Sequence, residues 1–172
     1  MEAARYSAVE TLRDGRQVEI RALQPDDQAG LEAAVDHTSA QSLYRRFFGA
    51  KRHFTDKEIA FFLHVDFVSH VALVAVVKED GRPTIVAGGR YVVVQPGKAE
   101  LAFTVVDAYQ GQSIGAALMR HLIGIARNAG LKEFTADVLP SNSPMLKVFE
   151  KSGLPMSTRR VGGTVQVSLR LT

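Results

Sequence analysis

Apolar and polar residues alternate along Gln17-Val-Glu-Ile-Arg-Ala22, the pattern of a strand with one buried face. Pro25-Asp-Asp27 then supplies a proline and two acids for the first turn of a helix, and Leu31, Ala34 and Val35 recur along it at helical spacing. A second helix is expected over about 40–48, and Thr55-Asp-Lys-Glu58 is a capping box leading into Ile59-Ala-Phe-Phe-Leu63. The apolar run at Val71 reads as a buried strand to Lys78. Glu79-Asp-Gly-Arg-Pro83 turns it back into an antiparallel strand over 85–94. After the turn Gln95-Pro-Gly97 comes a strand over 99–106. The clearest helix spans 113–128, with Ile114, Ala117, Leu118, Leu122, Ile125 and Ala126 on one stripe and Gly130 as its stop. A strand over 133–139 follows, then a short helix from Ser143-Pro144 carrying Met145, Val148 and Phe149 and ending at Gly153. Two last strands turn at Val161-Gly-Gly-Thr164. A right-handed crossover through helix 113–128 makes strands 99–106 and 133–139 parallel neighbours in a mixed sheet.

Composition narrows the class. A chain of 172 residues, 46% hydrophobic and without internal repeats or a linker, is expected to form one domain over 1–172. The longest apolar run, Val71–Val77, is far below the roughly 20 residues of a membrane-spanning helix. The N-terminus lacks a basic segment followed by an apolar one, so no secretory signal is read and a cytoplasmic location is expected. The absence of cysteine excludes disulfides, thiolate metal ligands and a thiol nucleophile. Five histidines without paired spacing imply no metal. A net charge of +3 suits an anionic ligand but is too small to argue for nucleic acid. Basic and aromatic residues interleave in Tyr44-Arg-Arg-Phe-Phe-Gly-Ala-Lys-Arg-His-Phe54, foremost as the end of an amphipathic helix, next as a surface for an acidic protein or ligand, and last as a nucleic-acid patch.

Candidate chemistry centres on Gln110-Gly-Gln-Ser-Ile-Gly115, at the carboxyl end of strand 99–106, where ligands of such sheets bind. GQSIG also fits the G-x-S-x-G elbow of serine hydrolases. That fold needs a histidine after the serine. The single one here, His121, lies eight residues along the same helix, roughly 12 Å of rise away. An anion cradle fits better. The first amides of a helix lack intrahelical partners, its dipole adds about half a positive charge there, and no acid occurs from Ala108 to Lys132. Gly111, Ser113, Gly115 and Ala116 keep the turn small, although a helix merely capped by Ser113 would also read this way.

Gln110-Gly-Gln-Ser113-Ile-Gly115, the apolar helix after it and the later Asn142 resemble the acetyl-CoA signature of the GCN5-related N-acetyltransferases (GNAT), whose element order also matches nearly the whole chain. The resemblance implies an α/β fold of α+β type: a mixed, mostly antiparallel sheet of six to seven strands with helices on both faces. It further implies transfer of acetyl from acetyl-CoA to a primary amine. Phe103, Thr104 and Val105, the segment Gln110, Gly111, Gln112, Ser113, Ile114, Gly115 and Ala116, and Asn142 and Phe149 would contact the co-substrate. Two positions depart from the pattern: Ser113 replaces the signature's first glycine, and Phe149 stands where a tyrosine often serves as general acid. Asn142 could equally form an Asx turn before Pro144.

An amine attacking a thioester must first lose its proton, and a lysine side chain holds it with a pKa of roughly 10.4. Glu100 is the candidate base: alternation puts it on one face of Ala99-Glu-Leu-Ala-Phe-Thr-Val-Val106 with Ala102 and Thr104, though a strand-start glutamate could simply be solvated. The AELAF strand, Ser42-Leu-Tyr-Arg-Arg-Phe-Phe48, Val65-Asp66 and Ala72-Leu-Val-Ala75 resemble the catalytic domain of bacterial protein lysine acetyltransferases. The resemblance implies a protein lysine acceptor, for instance on an acyl-CoA synthetase. A small-molecule amine or a non-catalytic CoA-binding role are the alternatives, and the sequence gives no oligomeric state.

Overall fold

The computed structural model describes residues 3–37, 55–111 and 113–172. The helix expected over 40–48, the basic cluster at 44–54 and Gln112 lie outside them.

Eight strands join one sheet: β1 (Ser7–Thr11), β2 (Gln17–Ala22), β3 (His70–Glu79), β4 (Arg82–Gln95), β5 (Lys98–Val105), β6 (Glu133–Val138), β7 (Met156–Val161) and β8 (Thr164–Arg170). Their spatial order is β1-β2-β3-β4-β5-β6-β8-β7, and every neighbouring pair is antiparallel except β5 and β6. The sheet thus exceeds the expected six to seven strands. The addition is β1, an edge strand whose residues are all exposed or half-buried, so its sequence carries little apolar signal.

Among the described residues the helices are α1 (Gln28–Asp36), α2 (Asp56–Leu63), α3 (Ile114–Asn128) and α4 (Ser143–Glu150). A short 3-10 turn at Pro25–Asp27 precedes α1. The capping box of α2 forms as the sequence implies, with Thr55 accepting from the Glu58 amide and Glu58 from that of Thr55, each at 3.1 Å.

Strand β3 is buried on both faces, and its alternation divides the core. Val71, Leu73, Ala75 and Val77 pack with the apolar stripe of α3, while Ala72, Val74 and Val76 pack with Leu31 of α1 and Ile59 of α2. The α3 side is close-packed. A Cβ added at Gly89 would lie 2.8 Å from the Phe103 ring and 3.2 Å from Leu122, so only glycine fits where α3 crosses β4.

A polar cluster, of which His70 is buried and Asp66 exposed, anchors the start of β3. Asp66 accepts from the Ser69 hydroxyl at 2.7 Å and from the amides of Val68, Ser69 and His70, each at 2.9 Å, and these hydrogen bonds, that of the hydroxyl foremost, hold its carboxyl far below the usual range. His70 is buried, and Arg90 donates to its Nε2 at 3.1 Å and to the Phe62 carbonyl at 3.1 Å. A guanidinium only donates, so that ring nitrogen is unprotonated. Burial first, and the Arg90 charge second, lower the His70 pKa from 6.5 to about 4. The unfolded chain therefore binds an extra proton between those values. Stability is full above pH 6.5 and falls as pH drops toward 4, with a slope of up to about 1.4 kcal/mol per pH unit. His70→Gln keeps an acceptor for Arg90 and should flatten this part of the profile in urea titrations across that range.

Candidate active site

Strands β5 and β6 run parallel for only three residue pairs, Lys98 with Glu133, Ala99 with Phe134 and Glu100 with Thr135. Beyond Glu100, β5 continues beside β4, and β6 continues beside β8, so the sheet opens between them. Leu101, Phe103, Ala136, Val138, Asn142 and Phe149 line the gap, a cavity of about 90 Å³ with Glu100 at its closed end.

Backbone alternation tells which β5 groups face the opening. The Val106 amide donates to Val86 at 2.9 Å, so in the β4–β5 register the even-numbered residues turn their backbone toward β4. The amides of Phe103 and Val105 then point toward the gap, and that of Thr104 points away. The Gln110 side chain agrees, since its Nε2 crosses to the Val105 carbonyl at 3.1 Å and to Asp107 Oδ1 at 3.3 Å. Gln110 thereby braces the turn between β5 and α3.

The gap widens at the N-terminus of α3 into a cavity of about 420 Å³ lined by Phe103, Thr104, Val105, Gln110, Gly111, Ser113, Ile114, Gly115, Ala116 and Asn142. Gly111 and Ser113 both have positive φ, at 80° and 71°. For serine the left-handed region costs about 1–2 kcal/mol, which explains why the pattern it resembles carries glycine there. The strain has a geometric result: Ser113 is the N-cap of α3, yet its side chain makes no capping bond, and no acid lies in the first turn. The serine-capped alternative thus lacks its hydrogen bond. Gly115 faces α4, where an added Cβ would sit 3.3 Å from Val148.

Asn142 caps α4, its Oδ1 accepting from the Met145 amide at 3.3 Å, while the residue also lines both cavities. The Asx-type cap and a role beside the cavity are therefore compatible. Phe149 is buried, edge-on to Phe103 at 6.2 Å between centroids, and offers no proton. Sequence reasoning passed over Arg13, Tyr109, Lys147 and Lys151, which line the larger cavity. The spacing of Lys147 and Lys151, one turn apart just after Asn142, was a readable signal; Arg13 sits in a hairpin turn and gave none.

On the opposite face of β5, a third cavity of about 110 Å³ lies under α1 and α2, lined by Leu31, Phe62, Gly88, Arg90, Ala102 and Thr104 among others. Thr104 borders this cavity and the one at α3, and Ala102 borders it and the gap. Strand β5 is thus the partition between two approaches that share Ala102, and Glu100, two residues earlier on the same face, lines the gap and is exposed.

A sheet opened at one parallel pair, with an acid-free helix start at its mouth, has counterparts among known proteins. The family model described as acetyltransferase (GNAT) family matches residues 38–154, more than half the chain. The chain belongs to the GNAT family. It is 35% identical over 126 residues to an acetyltransferase of Pseudomonas aeruginosa, covering 73% of this chain and 68% of that protein. With the acetyltransferase Pat of Mycolicibacterium smegmatis it shares 34% identity over 145 residues, 83% of this chain but 42% of that protein, so it spans less than half of Pat. The GNAT domain of S. lividans PAT superposes with a TM-score of 0.86 at 33% identity, covering 95% of this chain and 96% of that one. As a GNAT acetyltransferase the chain uses acetyl-CoA. Among the described residues no cluster of His, Asp or Glu could hold a metal ion, and no helix is long and apolar enough to cross a membrane.

Proposed function

We propose that this GNAT domain transfers acetyl from acetyl-CoA to the side-chain amine of a protein lysine by direct attack, with Glu100 as general base. The observation carrying the reading is that Glu100 ends the short parallel β5–β6 pairing and lines the gap beside α3, two residues before Ala102, which borders both the gap and the cavity under α1 and α2. The pyrophosphate of CoA would take the free first-turn amides of α3, at the turn of Gly111, Ser113, Ile114, Gly115 and Ala116. The cofactor arm would run along the gap, held by the Phe103 and Val105 amides and by Asn142. One of those strand amides, aimed at the thioester oxygen, would stabilise charge as it develops there.

Glu100 would remove a proton from the incoming ammonium, the freed nitrogen would attack the carbonyl carbon, and as the C–S bond breaks the nitrogen's surplus proton would neutralise the departing thiolate. The departing thiol has an ordinary pKa of roughly 8.5, so it can leave as thiolate near neutrality and Phe149 need supply no proton. A protein acceptor is supported by the exposure of Glu100, reachable by a lysine carried on a large surface, and by similarity to Pat and to the PAT domain. An acyl-CoA synthetase remains the acceptor to try first.

Incubation with labelled acetyl-CoA and a cell lysate tests the acceptor. Label is expected in protein, on lysine, and to enter protein far more slowly with Glu100→Gln. Label confined to small molecules would overturn the protein-lysine reading, and none anywhere would favour a non-catalytic CoA-binding domain.

A further inference from the structure

We infer that the β1–β2 turn and α4 form a two-sided cationic clamp that makes the domain selective for the 3′-phosphorylated nucleotide of CoA, with Arg13 on one side and Lys147 and Lys151 on the other. The inference rests on the reading of the α3 cavity as the CoA site. It concerns which part of that ligand is recognised.

Charge balance motivates it. A pyrophosphate carries about two negative charges and a phosphate monoester about 1.5 to 2 more, whereas a helix N-terminus offers about half a positive charge. Further cations are needed. The described lining of the cavity contains three, Arg13, Lys147 and Lys151, and no carboxylate. All three are exposed and form no ion pair with any described residue, in contrast to Arg16, Arg21, Lys98 and Arg120, which are paired with Asp14, Asp27, Glu133 and Glu10.

The turn carrying Arg13 is fixed in place. Leu12 and Arg16 close it, the Leu12 amide donating to the Arg16 carbonyl at 2.7 Å. Arg16 lies over the Tyr109 ring at 4.9 Å and donates to its hydroxyl at 3.2 Å, while that hydroxyl donates to Glu79 at 3.0 Å. Burial, and then the bond to Glu79, raise the Tyr109 pKa, keeping the proton this chain of bonds requires. Tyr109 itself lines the cavity just before Gln110. The hairpin is thus tied to the loop that opens α3, which brings Arg13 to the same cavity that Lys147 and Lys151 line from α4.

The test compares CoA with 3′-dephospho-CoA by calorimetry on the full chain. The wild type is expected to bind CoA at least tenfold more tightly at low salt, with the ratio shrinking as salt rises. Arg13→Ala, and separately the double change Lys147→Ala and Lys151→Ala, should each lower CoA affinity roughly three- to tenfold and leave dephospho-CoA affinity nearly unchanged. Equal wild-type affinity for the two ligands would overturn the clamp and leave the cavity as a CoA site. Equal loss for both ligands in the variants would also overturn it, by making the cations general contributors. Binding of neither ligand would remove the underlying reading of the cavity, and the clamp with it.

Discussion

Glu100→Gln is expected to lower kcat/KM by roughly 10²- to 10⁴-fold while CoA binds as before. Glutamine has the shape of glutamate without its charge, and the side chain is exposed, so neither the β5–β6 pairing nor the helix packing should change. What disappears is the proton acceptor. With an amine pKa of roughly 10.4, only about one lysine in a thousand is free base near neutrality, so an enzyme without a base must wait for that fraction. The same argument gives a second readout. In the variant, rate should climb about tenfold per pH unit toward pH 10 as the amine deprotonates unaided, narrowing the gap to wild type. Steady-state rates from pH 6 to 10, with calorimetry for CoA, check both parts. Unchanged turnover with CoA still bound would remove Glu100 from the mechanism.

Ser113→Asp should reduce CoA affinity about 100-fold without weakening the fold. Asp and Asn tolerate the left-handed backbone of residue 113 better than most side chains, and an aspartate at a helix start accepts from the first amides and complements the dipole. The carboxylate would satisfy groups assigned to the pyrophosphate. A unit charge about 5 Å from a phosphate oxygen also costs about 3 kcal/mol at an effective dielectric constant of 20, a little over two orders of magnitude. Ser113→Asn, with the same shape and no charge, separates the causes and should stay within a few-fold of wild type. Melting temperatures equal to or above wild type, with CoA binding lost in the aspartate variant alone, are the expected pattern. An aspartate variant that binds CoA normally would place the anion elsewhere.

The order of elements was legible because the chain states it locally. Alternation in β2, the cap at Thr55, the turns at Gly81 and Gly97 and the stripe on α3 each depend on a few adjacent residues. Strand β1 was not legible, since an edge strand with no fully buried residue has no reason to carry an apolar pattern. The site divides the same way. The residues around the α3 N-terminus announce themselves by small size and missing acids. The early end of the β5–β6 pairing does not, because Leu101 to Val105 and Ala136 to Val138 read as ordinary strand whether or not they are paired. Ser113 shows the limit from the other side. Its identity was visible as a departure, but only backbone angles reveal that a serine there sits in glycine's conformation and leaves its hydroxyl uncommitted to the helix.

The parting of β5 from β6 gives this sheet four rims instead of two. The outer pair, β1 and β7, are ordinary borders, and β7 carries Arg159 and Arg160, charges that discourage another chain from zipping on. The inner pair is shielded by shape: a slot of about 90 Å³ is too narrow for a polypeptide with side chains on both faces, yet it admits a slender molecule bearing amides of its own. A ligand lying there would serve as a surrogate strand, completing the ladder in the middle. Occupancy should then slow hydrogen exchange most at Phe103 and Val105, in the centre of the protein, where exchange is ordinarily slowest without any ligand at all.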